Sequence, residues 1–377
     1  MRFPGLFGPL RLGALNMPNR MVMAPLTRMR AAPGGIATAL MSDYYTQRAS
    51  AGLIITEGTA VSTQAHGYPA SPGIYTADQI TAWRAITDRV HAMRGRIVLQ
   101  IQHNGRGSLA AYNSDSCLPV APSAIAYVGK VYTPGFEPLD PPTPRALDAS
   151  EIPALVDTFT KAATNAILAG FDGVEIQGAN GHLIDQFLCD GSNRRADMYG
   201  GPIANRTRFL VEILDTIIAA IGADRVGVRL SPYGRYGGIF DSDPVALFTS
   251  LLRELNARKI AYLHLIEARA SEMGITDELH ADAPHIAPLF RHAFNGPLIS
   301  AGAYSPESAA HAVDNGQADA IAFGRLFISN PDLVSRVGQG ALLNVADRST
   351  FYGGGSQGYT DYPRLPAQSA LAAGAHV

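Results

Sequence analysis

Eight short apolar runs, each followed by a longer stretch with helical periodicity, constrain this chain more than any other feature. The runs fall at 20–25, 53–57, 97–102, 173–177, 226–230, 262–266, 298–301 and 320–324. Each has strand length and is nearly continuously apolar, the pattern of parallel strands covered on both faces. Helix starts lie between them. Thr76 with Gln79 forms a capping box ahead of Trp83, Ile86 and Val90. Ser150 precedes a stripe of Leu155, Phe159, Ala162 and Ala166. Asp243-Pro244, Ser305-Pro306 and Asn330-Pro331 each set a capping residue before a proline suited to the first helical turn. This alternation predicts an α/β fold, a single (β/α)8 TIM barrel. The alternative is an open doubly wound sheet. It is disfavoured because the first strand runs into Pro25-Leu26-Thr27-Arg28, not a glycine-rich turn.

About forty residues separate the third run from Ser150, and they carry Pro119, Pro122, Pro134, Pro138, Pro141, Pro142 and Pro144. A loop in that place lies over the C-terminal face of a barrel, so a long lid after strand three is expected. Residues 1–365 read as one domain, and 366–377 as a small, polar tail that frays.

The chain is 47% hydrophobic and 16% charged, with a net charge of −2. That balance gives no electrostatic reason to expect nucleic acid or an anionic membrane as partner. Apolar runs are too short to span a bilayer. Prolines and glycines interrupt the N-terminal stretch where a secretory leader needs unbroken apolar sequence, so a cytoplasmic protein is expected. Cys117 and Cys189 form no CxxC pair, which argues against a disulfide framework, a zinc site or an iron–sulfur cluster. The expected partner is a small-molecule substrate, and the chain a monomer or homo-oligomer.

Catalytic groups of such barrels sit at the C-terminal ends of the strands. Those ends read Pro25-Leu26-Thr27-Arg28, Glu57-Gly58-Thr59, 100–106 (QIQHNGR), 177–182 (QGANGH), Arg229-Leu230-Ser231, Ser300-Ala301-Gly302 and Gly324-Arg325. With the blocks at 19–28 (NRMVMAPLTR), 52–58, 173–188 (GVEIQGANGHLIDQFL), 199–201, 323–333 (FGRLFISNPDL) and 359–363 (YTDYP), the sequence resembles the Old Yellow Enzyme family of FMN-dependent ene-reductases. The resemblance runs from Leu6 to about Pro363. It implies a barrel holding FMN, NADPH or NADH as reductant, and activated alkenes as oxidants. It also implies roles for single residues. Thr27 meets the flavin O4, Gln100 meets N3 and O2, and Arg229 places positive charge near N1 and O2. Gly302, Ala303, Gly324 and Arg325 hold the phosphate, with Pro25 and Gly58 completing the cofactor set. Tyr352 belongs to the substrate pocket.

The substrate side departs from the family pattern. Its paired donors, His with Asn or His, and the tyrosine two residues on read here as Gln177, Asn180 and His182. A pocket tryptophan is replaced by Gln102. A donor positioned on a carbonyl oxygen that gathers negative charge is worth roughly 2.7–4 kcal/mol. Gln177 still offers an N–H, and Asn180 a second, so the pair is weakened but present. An imidazole titrating near 6.5 makes His182, or water, the expected proton donor. Gln102 predicts a roomier, more polar pocket. Isomerisation, desaturation, nitro or nitrate-ester reduction, and flavin binding with little catalysis remain open alternatives. A metal-dependent hydrolase is disfavoured, and His103 reads as structural.

Overall fold

Alternation within the strands decides which residues face the middle of the molecule. In the run 97–102, Ile97, Leu99 and Ile101 occupy one face, and Val98, Gln100 and Gln102 the other. The same rule pairs Glu175 with Gln177, and sets Arg229 and His264 on the face shared with Gln100. A computed structural model describes residues 2–113, 117–270 and 282–366. In it the strands are β1 (Met21–Met23), β2 (Leu53–Ile55), β3 (Ile97–Gln102), β4 (Val174–Gly178), β5 (Val226–Leu230), β6 (Tyr262–Ile266), β7 (Leu298–Ala301) and β8 (Ala320–Phe323). All neighbours pair in parallel, and β8 closes on β1 through Ile321 opposite Met21. The expected barrel is present.

The principal helices are α1 (Ala39–Gln47), α2 (Ala77–Ala92), α3 (Ile152–Leu168), α4 (Arg208–Ile221), α5 (Pro244–Arg258), α6 (Ile286–Arg291), α7 (Pro306–Asp314) and α8 (Leu333–Gln339). They cover the outward strand faces in one large apolar core that includes Met23, Ile54, Leu99, Ile176, Val228 and Leu263. Burying each such side chain is worth about 1.5–3 kcal/mol. A second cluster fills the N-terminal end of the barrel: Val22, Leu53, Ile55, Val98, Tyr262, Ile299 and Ala320. Leu12, Leu15 and Met17, from a hairpin of 10–12 with 15–17, pack against it. With that end filled by apolar groups, the polar inward residues collect at the other.

Helix ends follow local chemistry with two corrections. Thr76, Asp243 and Ser305 cap α2, α5 and α7 as expected. Ser150 does not cap α3. It lies inside a 3-10 turn that Asp148 and Glu151 cap reciprocally, because a carboxylate three residues after the cap outcompetes the hydroxyl. Asn330 does not cap α8 either. Its side chain donates to the Leu326 carbonyl at 2.9 Å and accepts from the Asn344 N–H at 2.7 Å, tying the last loop to the barrel. The long loop after β3 carries structure of its own. Val120–Ala121 pairs with Arg145–Ala146, and Val131–Tyr132 forms a hairpin with Pro138–Leu139. It is pinned to the loop after β5 by Val128 N–H on the Gly237 carbonyl at 3.1 Å and by Tyr127 edge-on to Tyr236. Of the expected tail, 367–377 lie outside the described residues.

Candidate active site

A cavity of about 720 Å³ opens at the C-terminal ends of the strands. That size lies in the range of small-molecule and cofactor sites. Every residue expected in the site lines it: Pro25, Thr27, Gly58, Gln100, Gln102, Gln177, Asn180, His182, Arg229, Gly302, Ala303, Gly324, Arg325 and Tyr352. The expected set is therefore brought together around one space. Ser231, read at the end of the fifth strand, lines it too, and Tyr68, Tyr236, Tyr304 and Arg348 also line it and were not anticipated.

Its floor is a buried polar network. Glu175 accepts from Gln100 Nε2 at 2.7 Å and from His264 Nδ1 at 2.9 Å. Burial alone would raise the Glu175 carboxyl. His264, Arg229 and Gln100 outweigh it and hold the group below the usual carboxylate range. Burial lowers His264, so the pair is an anionic carboxylate receiving the N–H of a neutral ring. Sequence reasoning passed over Glu175 and His264. The signal was there: each is a titratable residue in the middle of an apolar strand run. With one Nε2 N–H committed to Glu175, Gln100 keeps its acceptor oxygen and a second N–H for anything bound above it.

Arg229 is buried and close to this carboxylate, yet its Nε has no partner. Burial pulls the guanidinium down to about 10, so it stays charged at neutral pH. A buried cation with an unused N–H beside a cavity fits an electron-rich ring edge there. Gly302, at φ +124°, leads into Ala303 at φ +51°, so the chain after β7 bends through left-handed backbone at the cavity wall. A Cβ on Gly302 would meet Glu267 at 2.9 Å. Glu267 accepts from the Ile286 and Ala287 N–H groups at 2.8 and 2.9 Å and from Ser300, which fixes this corner. Gly58 has another reason to be glycine. A Cβ there would fall 1.9 Å from Gln102 Oε1, so the Gln102 amide lies flat against its backbone.

The turn after β4 is firmly held. Asn180 adopts φ +56° and Gly181 φ +69°. Asp185 accepts the Gly181 N–H at 2.9 Å, and Ser231 Oγ accepts the Asn180 N–H at 2.9 Å. Burial pushes Asp185 up to about 6. These bonds offset the cost of a left-handed asparagine, on the order of 1–3 kcal/mol. His182 is where expectation and geometry part. Its Nδ1 donates to the Ala179 carbonyl at 2.9 Å, and its buried Nε2 has no partner. Burial lowers the ring to about 4. With its proton affinity lowered in this way, the ring is an uncharged acceptor at neutral pH, which bears on the expectation that His182 or water donates the proton. The ordinary value near 6.5 holds for a solvated ring, and this one is not solvated. His103 is structural as expected: Nδ1 accepts the Gly105 N–H at 3.0 Å, and burial lowers the ring to about 3. No cluster able to hold a metal ion occurs among the described residues.

A closed parallel barrel with a charged, donor-lined cavity at its C-terminal mouth is the arrangement of a TIM-barrel enzyme. Residues 5–344 match the NADH:flavin oxidoreductase / NADH oxidase family. The chain belongs to that family, the Old Yellow Enzyme family, and is an FMN-dependent oxidoreductase of the ene-reductase type. It is 45% identical to 12-oxophytodienoate reductase 1 of Oryza sativa subsp. japonica, over 96% of this chain and 93% of that protein. A probable flavin mononucleotide-dependent alkene reductase of Leishmania infantum is 42% identical over 94% of this chain and 96% of its own. Among solved structures, morphinone reductase in complex with tetrahydroNAD is 45% identical. It superposes with a TM-score of 0.89 over 96% of this chain and 98% of that one.

Proposed function

We propose that residues 1–365 act as one domain that uses NADPH or NADH to reduce the C=C bond of activated alkenes in the cytoplasm. Thr27, Gln100 and Arg229, with Pro25 and Gly58, would hold the ring of FMN, and Gly302, Ala303, Gly324 and Arg325 its phosphate; the flavin would supply the relay of hydride from the nicotinamide to the alkene β-carbon. Gln177 and Asn180 orient the substrate carbonyl and stabilise the charge that gathers on its oxygen. Gln102 and Tyr352 shape the pocket. The observation that carries this reading is Arg229: a buried guanidinium with an unpartnered Nε, on the strand beside Gln177, at the floor of the cavity. The alkene reductase and the tetrahydroNAD complex among the relatives support the reaction class.

The remaining proton comes from water. His182 stands between the main cavity and a side chamber of about 20 Å³, room for about one water. Its bare Nε2 orients such a water by accepting from it. In anaerobic stopped-flow, NADPH or NADH bleaches the bound flavin and a cyclic enone restores the colour. If neither nucleotide bleaches it, the proposal fails. Bleaching followed by reoxidation with nitro compounds but not enones would assign the nitro-reductase alternative.

A further inference from the structure

The end of β4 differs from a site made only of donors. Gln177 and His182 are 3% and 5% exposed and both line the cavity. Gln177 Oε1 and His182 Nε2 are buried without hydrogen-bond partners. His182 cannot supply the donor that Gln177 lacks. Its one N–H is spent on the Ala179 carbonyl, which leaves a lone pair at Nε2. A primary amide always presents one acceptor end and one donor end, whichever way it is turned. A buried acceptor left unpaired is costly, so a well-bound ligand here brings its own donor.

We infer that the pocket selects alkenes whose activating group carries an N–H or O–H beside its carbonyl, of which cyclic imides and primary carboxamides are the simplest. The Gln177 amide pairs with such a group twice: Oε1 accepts the ligand N–H while Nε2 donates to the ligand carbonyl. A ketone or ester satisfies only the donor end and strands Oε1. Gln177 is then a specificity-determining residue, a role that a ring N–H aimed at the carbonyl alone would not give. The inference rests on reading the cavity as the alkene pocket.

Two measurements test it, both in a Cys117→Ser background because the exposed Cys117 thiol adds to maleimides. The first compares kcat/KM for maleimide and N-methylmaleimide. The second titrates succinimide and N-methylsuccinimide, which cannot be reduced, and follows the absorbance of bound flavin. The N–H member is expected to win by at least tenfold in both, equivalent to 1.4 kcal/mol. Gln177→Met keeps the side-chain length, loses the amide, and brings both ratios to about one. Equal ratios in the starting protein, or ratios unchanged in Gln177→Met, overturn the inference while leaving ene reduction intact. Failure to reduce either maleimide, with flavin still bleached by NADPH, overturns the proposed function instead.

Discussion

At the residue scale the decisive groups are Arg229 and His182, and they were legible to different degrees. Arg229 was placed beside the flavin by resemblance, and the barrel sets it in the cavity lining with its Nε buried and unpartnered. Replacing it with Met removes the buried positive charge and is expected to slow flavin reduction by NADPH by roughly 10²–10³-fold, as loss of one preorganised donor does. Stopped-flow absorbance checks this. His182 was legible as a residue but not as a chemical species. Its tautomer depends on the Ala179 carbonyl, and its lowered affinity for protons depends on burial. The rate at which an enone reoxidises the flavin is therefore expected to stay level between pH 5.5 and 8.5. An acid titrating near 6.5 would make that rate fall as pH rises through this window, and such a fall would restore His182 as the donor.

At the element scale, the strands were read almost to the residue, because the apolar runs are too short for buried helices and recur at each step of the alternation. Helix caps were less secure. Ser150 and Asn330 carry the right side chains, but Glu151 and Asn344 offer their neighbourhoods better bonds. The block at 359–363 acquires a reason only in three dimensions. The Tyr359 ring stacks on Tyr44 at 4.0 Å, with Arg30 and Arg48 over the faces of the pair. Arg28 donates to the carbonyls of Phe351 and Gly358 at 2.8 and 2.9 Å. This clasp holds the loop bearing Tyr352 over the cavity. Arg28→Met strands the Gly358 carbonyl, at about 1–3 kcal/mol, and leaves Phe351 only the long bond from Arg30. It is expected to lower the Tm by several degrees and to weaken phenol binding to the flavin site, read by calorimetry and absorbance titration. Unchanged phenol binding in the folded variant would mean that the clasp serves stability alone.

For the whole molecule, the interior's titratable groups set the response to pH. Burial lowers His66, His103 and His182 to about 4, 3 and 4, against about 6.5 when unfolded. Between those values the unfolded chain binds more protons, so these groups withdraw stability as pH falls below about 6.5. Glu57 and Asp185, raised to about 7 and 6, act in the opposite sense and favour the folded state as pH falls. With His264 lowered as well, four histidines oppose two carboxyls, so the Tm is expected to drop from pH 7 to pH 4.5, and His103→Gln is expected to reduce the drop. A Tm that rises toward pH 4.5 would show that the carboxyls dominate.

What the sequence determined by itself is the barrel, and, through its resemblance to a family, part of the mouth. The barrel follows from local regularities: apolar runs of strand length and helical spacing between them. These signals survive in one dimension because each depends on neighbours close in the chain. What the tertiary structure decided is the chemical state of those residues. Glu175 is an anion because His264 and Gln100 reach it from β6 and β3. His182 is an acceptor because Ala179 takes its only N–H, and Gln177 keeps a bare oxygen because no donor on its turn is aimed at it. Protonation and hydrogen-bond direction depend on desolvation and on partners distant in sequence, and only the closed barrel brings those together.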